Sequence, residues 1–129
     1  MRAILSGIVL LALAGCASTW VEPRLNVKEN RILVECVNDP LGLGPIIENS
    51  LTKLGVETKP SDAHKGGDLI LKVTYQSSRA DNGLTSIQSV KSEMVDQRYH
   101  TVVGHYEWNG KGDSPAEASQ KLIDALINR

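Results

Sequence analysis

The stretch that most restricts this chain is Asp68-Leu69-Ile70-Leu71-Lys72-Val73-Thr74-Tyr75-Gln76. In an extended backbone Leu69, Leu71, Val73 and Tyr75 fall on one side, and Ile70, Lys72, Thr74 and Gln76 on the other. Strict alternation with β-branched residues predicts a strand covered on one face only, the habit of antiparallel sheets. Such a strand needs neighbours at its edges and an apolar cover for one face. Two further stretches offer the edges. Thr85–Val95 is a more polar strand marked by Val90 and Met94, and Tyr99–Trp108 places Val102, Gly104, Tyr106 and Trp108 on one face. Ser77–Gly83, Asp96-Gln97-Arg98 and Asn109–Asp113 read as the turns between and after them, with Asp81-Asn82-Gly83 suited to positive φ. Earlier in the chain, Arg31–Asn38 reads as a strand ended by Asp39-Pro40, and Val56-Glu57-Thr58 as a short edge strand. These two stretches would leave an open sheet edge to which a partner's strand can be added.

Two helices supply the cover. Pro45 suits a first helical position, after which Ile46, Ile47, Leu51 and Leu54 share a side and Gly55 ends the helix. Ser114-Pro115-Ala116-Glu117 combines an N-cap serine, a first-turn proline and a glutamate placed to close a capping box. That helix is expected to run to about Asn128, with Ala118, Leu122, Ala125 and Leu126 as its apolar stripe. The order β-α-β-β-β-β-α predicts an α+β fold, a two-layer sandwich with a mostly antiparallel sheet and both helices on one face. One domain, residues 31–129, holds all of it.

The beginning of the chain obeys other rules. Arg2 supplies a positive start, an apolar run follows through Leu13 broken only by Ser6, and small residues close it. That is the order of a secretory signal peptide, too short for a stable membrane span. Its ending, Leu13-Ala14-Gly15-Cys16, resembles the lipobox of bacterial lipoproteins. The resemblance implies cleavage between Gly15 and Cys16, a diacylglyceryl group on the Cys16 thiol and acylation of the new amine. Residues 1–15 would then be removed, and 16–30 would form an acylated tether. Ala17 after the modified cysteine, rather than aspartate, implies export to the outer membrane with the domain facing the periplasm. Trp20 would sit either at the headgroup level or against the domain's edge.

Charge fits this location. The precursor's 14 Lys+Arg and 15 Asp+Glu become 13 and 15 once Arg2 is removed, a net charge of −2. Neither a nucleic-acid footprint nor a polybasic lipid-binding stretch is present, so the acyl chains are expected to hold the membrane.

Few residues suggest chemistry. With Cys16 expected to be a thioether, Cys36 has no intramolecular partner; alternation places it beside Ile32 and Val34 as a small buried hydrophobe, the alternative being an intermolecular disulfide or a reactive thiol. His64 lies in a Gly-rich connection, while His100 and His105, five apart on one strand, would face opposite ways, so no metal site is expected. Gly42-Leu43-Gly44 lacks the third glycine and the Lys-Ser/Thr of a phosphate loop. No serine stands in a Gly-x-Ser-x-Gly elbow, and pairs such as Glu93 with Asp96 are expected by chance among 15 acids, so catalysis is not expected. Tyr106 and Trp108, two apart on one face, either cover the second helix or anchor a partner. Lys72, Thr74, Gln76, Ser89, Lys91 and Glu93 read as a solvated outer face.

In arrangement, residues 31–129 resemble the small domains of penicillin-binding-protein activator lipoproteins and the amino-terminal domain of the Tol system's propeller protein. The resemblance implies a non-catalytic accessory lipoprotein that binds an envelope protein and needs no cofactor beyond its covalent lipid. An envelope hydrolase acting on cell-wall material, or a carrier of an apolar ligand, are the alternatives.

Overall fold

The computed structural model describes residues 16–58, 68–79 and 83–127. Within them the protein is a mixed α+β fold. Strands β1 (Cys16–Val21), β2 (Arg31–Cys36), β3 (Asp68–Arg79), β4 (Thr85–Asp96) and β5 (Thr101–Asp113) form one sheet in the order β1-β5-β4-β3-β2. Helix α1 (Leu43–Lys53) follows β2, and α2 (Pro115–Leu126) follows β5.

The three long strands form an antiparallel meander, as their alternation predicts. β2 instead runs parallel to β3, with Ile32 opposite Leu69 and Cys36 opposite Val73. Parallel neighbours need a crossover long enough to return the chain, and α1 supplies it. At the start of this pair the Arg31 guanidinium donates through Nε and Nη2 to both Asp68 carboxylate oxygens, each at 2.8 Å. A two-pronged contact of this kind fixes geometry as well as charge.

Ile32, Leu69, Leu71, Val73, Ile87, Val90, Met94, Tyr106 and Trp108 line the inner face of the sheet. They join Leu43, Ile47 and Leu51 of α1 and Ala118, Leu122, Ile123 and Leu126 of α2 in one core.

Several expectations need correction. Residues 16–21 are not a tether: they form β1, paired antiparallel with β5 from Cys16 opposite Asn109 to Val21 opposite Gly104. Their alternation (Ala17, Thr19 and Val21 against Ser18 and Trp20) is short and mostly polar, and only the β5 edge makes it a strand. Val56–Thr58 is not a strand either, although the Glu57 carbonyl accepts from Ile32 N–H at 2.9 Å. Ser77–Arg79 and Asn109–Asp113, expected as turns, extend β3 and β5. His100 lies in the β4–β5 turn with φ 54°, not on a strand. Val102 is 45% exposed because the register slips between Met94 and Val95, placing it opposite Val95 on the outer face. Helix α1 begins at Leu43, two residues before Pro45. His64, the connection around it and the Ala80–Asn82 turn lie outside the described residues, as do Leu13, Ala14 and Gly15.

Candidate functional site

Three regions compete for a functional role: the end of the sheet bearing Cys16, its outer face, and the junction where β2 leads into α1.

Cys16 stands opposite Asn109 in the β1–β5 pair, so it belongs to the folded sheet. Next to it on the inner face lie the two aromatics singled out by sequence. Tyr106 is 4% exposed and Trp108 8%, so both belong to the core. A partner-binding role for Tyr106 and Trp108 has no exposed ring to rest on. Burial, with the nearby Asp113 charge, pushes the Tyr106 hydroxyl up to about 12. The Trp108 indole lies across Gly110, where an added Cβ would come within 2.1 Å of Cζ2. Its face carries the Lys121 ammonium 4.4 Å from the ring centroid, and Lys121 in turn pairs with Asp113 at 2.8 Å. Helix α2 is thus pinned to the end of β5 by apolar and charged contacts together.

The outer face is as polar as its sequence implies. Register sets Lys72 opposite Glu93, Thr74 opposite Lys91 and Gln76 opposite Ser89. Across the next pair, Lys91 meets Glu107 and Glu93 meets His105. The contacts are loose: Lys91 stands 3.9 Å from Glu107, and His105 3.6 Å from the same carboxylate. Pairs so exposed add little stability. Trp20 continues the row beyond His105 on the edge strand, 48% exposed. Two shallow hollows mark this face, one of about 390 Å³ around Thr74, Gln76, Ser89, Lys91 and Glu107, the other of about 240 Å³ around Glu35, Val37, Lys72 and Glu93. The walls of the first suit water or a polar partner, whereas those of the second are mostly apolar.

The third region gathers Asp39, Tyr75 and Cys36, each with a displaced proton affinity. Asp39 accepts from the N–H groups of Leu43 and Gly44 at 2.7 Å each, and the Tyr75 hydroxyl donates to it at 2.5 Å. Tyr75 oxygen also accepts from Leu41 N–H at 3.0 Å. Burial works to raise the Asp39 carboxyl, but the Tyr75 hydroxyl and the N–H groups of Gly44, Leu43 and Gly42 outweigh it and hold it below its usual range. Neighbouring Cys36 is pushed up to about 11 by burial and then by the Asp39 charge. A thiol in that state keeps its proton at neutral pH and is a poor nucleophile. The cluster therefore caps a helix; it does not resemble an activated dyad. Sequence reading missed Asp39, whose only local signal is its place four residues before the first helical position.

Among the described residues, no three His, Cys, Asp or Glu side chains converge as metal ligands. Nor is any helix among them long and apolar enough to cross a membrane.

No family model and no curated protein matches this chain. In fold it is similar to PelC from Paraburkholderia phytofirmans, a dodecamer. One PelC structure aligns with a TM-score of 0.58 at 17% identity over 86% of this chain and 95% of that one. A second, in another crystal form, gives 0.58 and 17% over 84% and 91%. Identity so low speaks for the fold alone. A minor lipoprotein from Acinetobacter baumannii aligns at 0.45 and 12% over 74% and 88%, too slight a likeness to bear on the fold. These likenesses are not to penicillin-binding-protein activators or the Tol propeller protein.

Proposed function

We propose that this chain is a lipid-anchored lipoprotein of the outer membrane's inner leaflet, facing the periplasm, which acts without catalysis by holding protein partners at the membrane. The feature that carries the reading is the apolar run after Arg2 that closes in Leu13-Ala14-Gly15-Cys16. Cleavage at Gly15–Cys16 would leave the acyl chains on a residue that is itself paired in the sheet, opposite Asn109. Two or more acyl chains anchor a protein stably where one does not. The protonated Cys36 thiol supports a non-catalytic role. The fold it shares with a dodecameric protein favours copies of this chain as its first partners, and β1 and β2, at the two ends of the sheet order, offer edges for such contacts.

Labelling with an alkyne fatty acid in a Gram-negative host tests the anchor. The wild-type chain is expected to take the label and to fractionate with outer membranes, and Cys16→Ala to lose both. A Cys16→Ala chain that still carries the label would falsify the assignment. Mass measurement of the detergent-solubilised lipoprotein tests assembly: multiples of one chain are expected, and a monomer at micromolar concentration overturns that part of the reading.

A further inference from the structure

We propose that the domain lies on its β1 side against the leaflet that holds the anchor, with Trp20 in the headgroup layer. The inference rests on the lipoprotein reading and deepens it: of the two sheet edges, β1 goes to the bilayer, and contacts between copies fall to β2.

Cys16 stands well back from the end of the sheet. It is opposite Asn109, Asn109 is opposite Ser89, and Ser89 opposite Gln76, so these four residues mark one level across the strands. Past that level β3 and β4 continue through the pairs Ser77–Ile87, Ser78–Ser86 and Arg79–Thr85. At roughly 3.3 Å per residue that is an overhang of about 10 Å. Acylation of the Cys16 amine ties a chain directly to the backbone, so this amine belongs at the boundary of the hydrocarbon. With the strands upright on the membrane, the exposed residues Ser77, Ser78, Arg79 and Thr85 would pass beyond that boundary. Hydroxyls and a guanidinium without water are costly there. Release of β1 from β5 would gain no reach, because a paired strand is already extended.

Turned onto β1, the same sheet meets the membrane without that cost. β1 is first in the sheet order, and β4 and β3 stand two and three strands from it. At roughly 4.8 Å per strand, they are then raised about 10–14 Å above the anchor. A bilayer of roughly 40–45 Å with a hydrocarbon core of about 30 Å leaves roughly 5–8 Å of headgroups per leaflet. The polar overhang clears that layer.

The side chains agree with the placement. β1 reads Cys-Ala-Ser-Thr-Trp-Val, without a charge; Ala17 to Trp20 are exposed, and buried Val21 fastens the strand to the core. Trp20, 48% exposed, stands four residues from Cys16, about 13 Å along the line that rests on the bilayer. Tryptophan is enriched at headgroup depth, where its ring is sheltered and its indole N–H stays wet. Val102, 45% exposed on the outer face, extends the apolar surface just past the end of β1, where Glu22 N–H donates to the Val103 carbonyl at 2.8 Å.

The test uses the full lipidated protein in phosphatidylethanolamine–phosphatidylglycerol vesicles. In a Cys36→Ala background, Ser18→Cys, Leu84→Cys and Val37→Cys are each labelled with an environment-sensitive fluorophore; Cys16, as a thioether, takes none. Ser18 is on β1, Leu84 immediately precedes β4, and Val37 immediately follows β2 at the other edge. Label at 18 is expected to be quenched by lipids spin-labelled at the headgroup, and labels at 84 and 37 by an aqueous quencher. Trp20→Ser is expected to cut the lipid quenching at 18 by about twofold or more while the chain still floats with the vesicles. Undiminished quenching overturns the part given to Trp20. Lipid quenching at 84 with 18 open to water means an upright domain and overturns the proposal, as does aqueous behaviour at all three positions. Shielding at 18 from both quenchers overturns it too, because another copy then covers β1. Flotation keeps the two readings apart: a chain that floats while position 18 stays aqueous sinks the sideways contact alone, whereas a chain that does not float sinks the anchor with it.

Discussion

Helices α1 and α2 both begin at the end of the sheet that carries Cys16, yet their first turns are closed in different ways. At α2 the Ser114 hydroxyl accepts from Glu117 N–H at 3.2 Å, and the Glu117 carboxylate accepts from Ser114 N–H at 3.1 Å. Everything needed lies within four residues. At α1 the N-cap position is Gly42, in a left-handed conformation with φ 71°, and it has no side chain to offer. Asp39 reaches forward in its place, and its carboxylate is held by Tyr75, 36 residues away on β3. The first cap is a local device that any helix could carry. The second exists only once β2, α1 and β3 have come together, so it ties helix formation to sheet formation.

The comparison breaks most visibly at Asp39. Asp39→Ala leaves two helix N–H groups, and the Tyr75 hydroxyl, without their acceptor, and should cost about 2–3 kcal/mol. A urea midpoint lowered at unchanged slope would register it. Because the folded carboxyl titrates below its ordinary 3.8, the stability it contributes is present above that value and drains away as pH falls further. Asp96, held low despite burial by the Arg98 side chain and backbone, behaves likewise, so Asp39→Ala should flatten only part of the acid limb.

Next in size, Ser114→Ala should cost about 1 kcal/mol, since the freed N–H stands at an exposed helix end where water replaces the hydroxyl. Equal losses from Ser114→Ala and Asp39→Ala in the same titration would erase the distinction between local and long-range capping.

The same contrast explains what the sequence made legible. The strand at 68–76 and the capping box at 114–117 are written in short periods and fixed spacings, and both stand where they were expected. So does the polar outer face, because period two alone assigns Lys72, Thr74 and Gln76 to it. Nothing local identifies Thr19 and Val21 as strand residues; the unpaired edge of β5 does that. Nor does local pattern reveal that β2 runs parallel to β3, which follows from the crossover through α1. Of the candidate site, Cys16 is described as a strand residue, while Leu13, Ala14 and Gly15 lie outside the described residues. The burial of Tyr106 and Trp108 could not be read from sequence, because two aromatics on one face look alike whether a helix or a partner covers them.

The smallest effect is the most discriminating. Tyr75→Phe removes one donor to Asp39 and one acceptor for Leu41 N–H, both half-open to water, and should cost about 0.5–1 kcal/mol. If Tyr75 acts through Asp39, a double-mutant cycle of Tyr75→Phe with Asp39→Ala will give a coupling of similar size. Independent losses would mean that Tyr75 only packs, and that the α1 cap is as local as that of α2. Alkaline pH offers a second view. Burial, and then the bond to Asp39, raise the Tyr75 hydroxyl from 10.0 to about 12, so the stability tied to its proton is complete below pH 10 and lost as pH climbs toward 12. Tyr106 is raised to about 12 as well. Tyr75→Phe should therefore flatten the alkaline limb in part and, because its hydroxyl is the foremost contact holding Asp39 low, part of the acid limb as well.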